Sequence, residues 1–179
     1  MDTRELQAHI REVPDFPRSG VNYKDVSRIL ETPSFFRHAV RAMARILLTT
    51  ANTTQISKIV AIEARGFPLG GAVAYAVNAG VAMARKKGKL PGSTITADYV
   101  LEYGTASLEM QRSSILVNEQ VFIVDDVLAT GGTARAVADL VRELGGIVEG
   151  FLFLVELRFL SGREKLGHPN VWSIIQYDE

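Results

Sequence analysis

The residues with the most chemical potential stand in one run, VFIVDDVLATGGT, from Val121 to Thr133. An apolar stretch leads into two adjacent carboxylates, Asp125 and Asp126, and then into a loop of small residues that opens a helical pattern. Gly131 and Gly132 let the backbone approach an anion closely, while Thr130 and Thr133 add hydroxyl donors. A helix N-terminus contributes free N–H groups and the positive end of its dipole. Ala129 to Thr133 therefore has the makings of a phosphate cradle. The aspartates, expected just past the strand and about one sugar length away, can accept hydrogen bonds from vicinal hydroxyls and hold a divalent cation indirectly. TGGT alone would equally suit a cap and a turn. The preceding aspartate pair tips the reading towards a phosphorylated sugar. The run lacks the lysine of the Walker loop and the GxGxxG of dinucleotide sites.

A second concentration of charge, Arg85, Lys86, Lys87 and Lys89, could compensate a polyanionic group, although a solvated charge run has the same composition. Across all 179 residues, 20 Lys and Arg balance 20 Asp and Glu. No global field then favours nucleic acid or a membrane surface, and an anion site must be local. The chain has no cysteine, which excludes disulfides, thiolate metal sites and cysteine nucleophiles and fits a reducing compartment. His9, His38 and His168 fall outside these runs and are expected to pack or to face solvent. Met1 to Val13 is charged and lacks the apolar core of a secretory signal, so a cytoplasmic location is expected. Phe67 to Ala84 is uncharged and approaches the roughly 18 residues of a membrane span. Its Pro68, Gly70, Gly71, Asn78 and Gly80 favour instead a buried helix followed by a buried strand.

The elements that must position these groups follow from periodicity. Asp2 to Val13 suggests a short helix with Leu6, Ile10 and Val13 on one face, and Val13 to Leu30 a structured loop. Thr32-Pro33 predicts the start of a helix running to about Leu48, with Phe36, Val40, Met43, Ala44 and Leu47 as its apolar stripe. Lys58 to Glu63 predicts a strand, followed by a helix ending at Gly80 and a strand from Val81 to Ala84. Arg85 to Pro91 is expected as a basic loop, and Thr96 to Gln111 as a hairpin turning near Tyr103-Gly104. A strand from Val121 to Val124, a helix from about Ala134 to Leu144, and strands at Phe151 to Leu157 and Val171 to Ile175 complete the pattern. Short apolar strands alternating with helices imply an α/β fold with a mostly parallel central sheet flanked by helices, whose ligands lie beyond the carboxyl ends of the strands. Neither repeats nor low-complexity tracts interrupt it, so residues 1–179 are expected to form a single domain.

The run from Val121 to Thr133 closely resembles the phosphoribosyl pyrophosphate motif of type I phosphoribosyltransferases. FPRSGVNYKD (Phe16 to Asp25), EARGF (Glu63 to Phe67), RKKGKLPG (Arg85 to Gly92) and LEYGTASLE (Leu101 to Glu109) extend the resemblance over nearly the whole chain to the adenine branch of that family. The resemblance implies transfer of the phosphoribosyl group of phosphoribosyl pyrophosphate to adenine, giving AMP and pyrophosphate. It assigns Ala129, Thr130, Gly131, Gly132 and Thr133 to the 5′-phosphate and Asp125 and Asp126 to the ribose hydroxyls. Arg65, Arg85, Lys86, Lys89 and Tyr103 fall to pyrophosphate, and Asn22, Tyr23, Lys24 and Val127 to the base. Glu102, with Arg65, takes the catalytic role. Residues 1–32 become an N-terminal helix and base-covering segment, and residues 85–111 a basic loop and flexible hairpin lid. Mg²⁺ is implied on substrate oxygens and water rather than on protein ligands, and a homodimer is implied as the assembly. Two alternatives share the sugar-phosphate motif: a transferase for another purine, and a non-catalytic regulator of the same fold, which would want a DNA-binding domain or a basic face.

Overall fold

The computed structural model describes residues 3–50, 56–100 and 105–179. A short helix, α1 (Thr3–Gln7), is followed by β1 (Arg11–Val13), which pairs antiparallel with β2 (Tyr23–Asp25). The expected helix to Val13 therefore stops early, and the expected loop to Leu30 contains a strand and a helix, α2 (Ser27–Glu31). Only Leu6 and Ile10 of the helical stripe are fully buried. Cross-strand pairing offers the rest of the segment more, including Arg11 donating to Asp25 Oδ2 at 2.6 Å. Helix α3 (Pro33–Thr50) buries Met43, Ala44 and Leu47, with Phe36 and Val40 half-buried against the same core, as the stripe required.

The next unit is β3 (Lys58–Ile62), α4 (Gly66–Val77) and β4 (Gly80–Lys86). The uncharged stretch is thus a helix and a strand, and no described helix is long and apolar enough to cross a membrane. Helix α4 ends at Val77, three residues before the expected Gly80, because Asn78 adopts the left-handed conformation, its N–H returning to the carbonyls of Ala74 and Tyr75. The hairpin follows as β5 (Thr94–Val100) and β6 (Thr105–Gln111). Arg85 and Lys86 belong to β4 rather than to the expected loop. There they pair with Glu109 and Leu108 of β6, which extends the ladder beyond the apolar run.

Strand β7 (Gln120–Leu128) leads to α5 (Gly132–Glu143), and β8 (Ile147–Leu157) leads through a 3₁₀ turn (Arg158–Leu160) and α6 (Gly162–Leu166) to β9 (Val171–Tyr177). Seven strands make one sheet in the order β5-β6-β4-β3-β7-β8-β9. The five from β4 to β9 are parallel, and the hairpin adds an antiparallel edge. Alternation along the strands feeds two cores. Val121, Ile123, Phe151 and Phe153 pack with Val137, Leu140 and Val141 of α5. Phe122, Val124, Leu152 and Leu154 pack with Met43 and Leu47 of α3 and Leu69 and Val73 of α4. Each such side chain contributes about 1.5–3 kcal/mol on burial. The sheet is thereby covered on both faces, and its strand ends are left to carry the site.

One expectation about the site changes here. Asp125 and Asp126 lie inside β7, not after it, because β8 is long enough to continue the ladder: Asp125 pairs with Phe153, Val127 with Val155 and Leu128 with Glu156.

Candidate active site

The turn after β7 builds a small cleft lined by Asp125, Val127, Phe153 and every residue from Leu128 to Ala134. Gly131 stands at the N-cap of α5 with φ 78°, a left-handed conformation that a side chain would strain. No side chain caps this helix. Its first ladder bond, from Arg135 N–H to the Gly131 carbonyl at 2.9 Å, leaves the preceding N–H groups at the cleft. Backbone donors, Thr130, Thr133 and a helix N-terminus thus line one cleft, which suits an anionic oxygen.

Asp125 lines this cleft, and Asp126 follows it in β7. Burial, reinforced by the neighbouring Asp126 carboxylate, pushes the Asp125 carboxyl well above its usual range, against the pull of the Asp126 N–H bond at 2.9 Å and the Arg65 charge. The neighbouring carboxylate thus works with burial to disfavour ionisation of Asp125. Asp126 is buried and takes the Arg65 Nε–H; the Nη1 of the same guanidinium contacts the Tyr23 hydroxyl, and its Cζ lies 5.2 Å from the centre of that ring. One arginine therefore ties the end of β7 to the N-terminal segment. Phe16 meets Tyr23 edge-on at 5.2 Å.

Lys24 and Asn22 are turned the other way. Lys24 Nζ donates to Glu12 Oε1 at 2.5 Å and sits 4.4 Å over the Tyr177 ring, and Asn22 Nδ2 donates to Glu12 Oε2 at 3.0 Å. Their side chains fasten β2 and the residue before it to β1 and β9. Hydrogen bonds from Lys24 and Asn22, with the Lys24 charge, hold the Glu12 carboxyl below its ordinary range.

The basic residues are organised by two glutamates. Arg85 pairs with Glu63 at 3.2 Å and its guanidinium lies 5.9 Å from the Phe67 ring, while the Lys86 N–H donates to Glu63 Oε2 at 2.9 Å. Burial alone would raise the Glu63 carboxyl, but the Arg85 and Lys86 hydrogen bonds and charges bring it below the usual value. Glu109 of β6 accepts the N–H groups of Lys89 and Leu90, both at 2.7 Å, and fixes the turn that carries Lys89.

Residues 25–155 match the family described as phosphoribosyl transferase domain. An adenine phosphoribosyltransferase of Geobacter metallireducens is 46% identical over 173 residues, 97% of this chain and 99% of that protein. The solved adenine phosphoribosyltransferase of Thermoanaerobacter pseudethanolicus is similar with a TM-score of 0.92 and 43% identity, covering 98% of this chain and 99% of that one. That of Saccharomyces cerevisiae, solved with adenine and an imino-altritol bisphosphate, gives 0.92 at 36% identity over 96% of this chain and 97% of that one. The chain belongs to the adenine phosphoribosyltransferase family. It is accordingly a glycosyltransferase of the pentosyl class.

Of the residues that resemblance to adenine phosphoribosyltransferases singled out, Asp125, Asp126, Val127 and Ala129 to Thr133 meet at the end of β7, and Arg65 and Tyr23 join them through one guanidinium. Arg85, Lys86 and Lys89 gather near the ends of β3 and β4. Glu102 and Tyr103 lie outside the described residues. Glu63 and Glu109 went unnoticed as organisers although both stand in motifs of the family. Their partners are 22 and 20 positions away, so no local pattern could reveal the pairing. Among the described residues there is no group of three or more His, Asp or Glu able to hold a metal ion.

Proposed function

We propose that this site joins adenine to the 5-phosphoribosyl group of phosphoribosyl pyrophosphate, with N9 displacing pyrophosphate from C1 of the ribose to give AMP. The observation that carries this reading is the Arg65 guanidinium, which touches both Asp126 at the sugar-phosphate cleft and Tyr23 of the N-terminal segment. Sugar, leaving group and base would meet around it. The N–H groups and hydroxyls of Ala129 to Thr133 hold the 5′-phosphate, and Asp125 and Asp126 orient the ribose through its hydroxyls. Arg65, Arg85, Lys86, Lys89 and Tyr103 compensate the charge that builds on pyrophosphate as the bond to C1 breaks. Tyr23 stacks on the base, with Val127 and the backbone of Asn22 and Lys24 framing its edge. Glu102 handles the proton as positive charge develops on the purine.

Of the two carboxylates at the cleft, Asp126 is already engaged by Arg65, a donor set that suits a cation carried on substrate oxygens and water. When bound, Mg²⁺ neutralises charge on the leaving pyrophosphate. The chain works in the cytoplasm and assembles as a homodimer; the assembly is supported by Tyr75, which is 91% exposed on α4, and by exposed Val81 and Met83 on β4. Product analysis with each purine base, phosphoribosyl pyrophosphate and Mg²⁺ tests the reading: AMP forms from adenine, and hypoxanthine and guanine turn over poorly. Comparable turnover of guanine overturns the assignment.

A further inference from the structure

The phosphate turn is backed by a segment that none of the motifs contains. A Cβ built on Gly131 would find Gly162 as its nearest neighbour, the carbonyl oxygen 2.5 Å away, and the two next nearest atoms also belong to Gly162. Reciprocally, a Cβ on Gly162 would run into the Ala129 carbonyl oxygen and stand 3.1 Å from the Gly131 nitrogen. Two backbones therefore press on each other at the base of the cleft, with no side chain between them. The turn itself is rich in glycine and its helix has no side-chain cap, so its height depends on what lies behind it.

What holds Gly162 is the residue that follows. Arg163 reaches back to β8 in a two-pronged ion pair, Nε to Glu156 Oε1 at 2.9 Å and Nη2 to Glu156 Oε2 at 2.6 Å, and its Nη1 donates to the Val171 carbonyl at the start of β9. Ser173 of β9 donates to Glu156 Oε2 at 2.6 Å. Glu156 is only 3% exposed and lies opposite Leu128, the last strand residue before the cradle. Burial alone would raise its carboxyl, but the hydrogen bonds of Arg163 and Ser173 and the charges of Arg163 and Arg158 outweigh that and hold it below the usual range. The ionised carboxylate cannot lose Arg163 without leaving a buried charge unpaired, which makes the clamp stiff.

We infer that Glu156, Arg163 and Ser173 are positioning residues for the 5′-phosphate: they lock Gly162 against Ala129 and Gly131 and so set the aim of the cradle's N–H groups. The inference rests on the assignment of that turn to the 5′-phosphate. None of the three is placed at the substrate. They act through backbone contact, where a shift of a few tenths of an ångström weakens hydrogen bonds to a fixed anion.

The test compares AMP with adenosine, which lacks the phosphate, in wild type and in Arg163→Lys and Ser173→Ala, by calorimetric titration, with thermal melts alongside. Arg163→Lys keeps a cation at Glu156 but not the fork, and Ser173→Ala removes a single hydrogen bond. The preference for AMP over adenosine is expected to fall by about 10-fold in Arg163→Lys and about 3-fold in Ser173→Ala, while adenosine affinity stays within about 2-fold and KM for phosphoribosyl pyrophosphate rises more than kcat falls. A preference unchanged in both variants, whether or not the melting temperature drops, overturns the inference and leaves the cluster a brace of the fold alone. If wild type fails to prefer AMP, the phosphate assignment falls, and the inference falls with it.

Discussion

Asp125 shows how a side chain can serve function at the expense of the empty fold. Its carboxyl is raised by burial and by Asp126, so the folded chain binds a proton there more tightly than the unfolded chain, whose aspartates titrate near about 3.9. The stabilisation from that proton is complete below the unfolded value and is lost as pH rises through the folded one. Asp125→Asn, neutral and of the same shape, should therefore melt at or above the wild-type temperature at pH 8 without ligand, with the difference closing towards pH 4. The same variant, and Asp126→Asn, should weaken ribose 5-phosphate binding by ~10- to 150-fold, the worth of a hydrogen bond to a charged group. A lower melting temperature for Asp125→Asn at pH 8 would reverse the electrostatic argument, and unchanged binding in both variants would refute the ribose role. Glu102 is a proposal of a different kind, since a closed, drier site raises a carboxyl towards neutrality. Glu102→Gln keeps reach but cannot exchange a proton, so single-turnover chemistry should slow by at least about 10² with sugar binding little changed. Near wild-type single-turnover rates in Glu102→Gln with impairment in Glu102→Leu would make the side chain a hydrogen-bonding clamp.

At the scale of elements, the site depends on what each strand delivers at its end. β7 delivers the aspartates and the cradle, β3 delivers Glu63 and then Arg65, and β4 delivers Arg85 and Lys86 alongside. The tightest of these junctions is the β7–α5 turn. Gly131→Ala would place a Cβ at φ 78° and 2.5 Å from the Gly162 carbonyl. Left-handed strain for a non-glycine residue costs roughly 1–2 kcal/mol, and the clash forces the turn off its backing. The expected outcome is a melting temperature lowered by several degrees and KM for phosphoribosyl pyrophosphate raised at least about 10-fold. Wild-type kinetics for Gly131→Ala would mean that the cradle tolerates displacement and is not a precise anion site.

At the scale of the whole molecule, the sheet is covered on both faces near its centre but less so at β4. Val81 and Met83 are exposed there, and Tyr75 of the adjoining α4 is almost wholly so. We propose that these exposed apolar groups meet a second copy of the chain. Light scattering should report a dimer, and Tyr75→Lys combined with Met83→Lys should shift it towards monomer. A wild-type monomer at micromolar concentration would refute the assembly.

Element types and the family were legible in the sequence alone. Short apolar runs located β3 and most of β7, and helical spacing or an uncharged small-residue stretch located α3, α4 and α5, because strands and helices buried on both sides read as continuous apolar segments and amphipathic helices as stripes. Asp-Asp followed by small residues marked the β7–α5 turn that we propose for the sugar phosphate, because Gly131 takes a left-handed conformation there. Tertiary structure alone decided where β7 ends, since Asp125 to Leu128 are extended by their pairing with β8. It decided that Arg11–Val13 is a strand, since its partner is Tyr23–Asp25. The pairing of Arg85 with Glu63, the bridge from Arg65 to Tyr23 and the clamp of Arg163 on Glu156 were equally hidden. Local spacing records which face a residue turns to the core, but the partner of a charged side chain is chosen by the path of the whole chain.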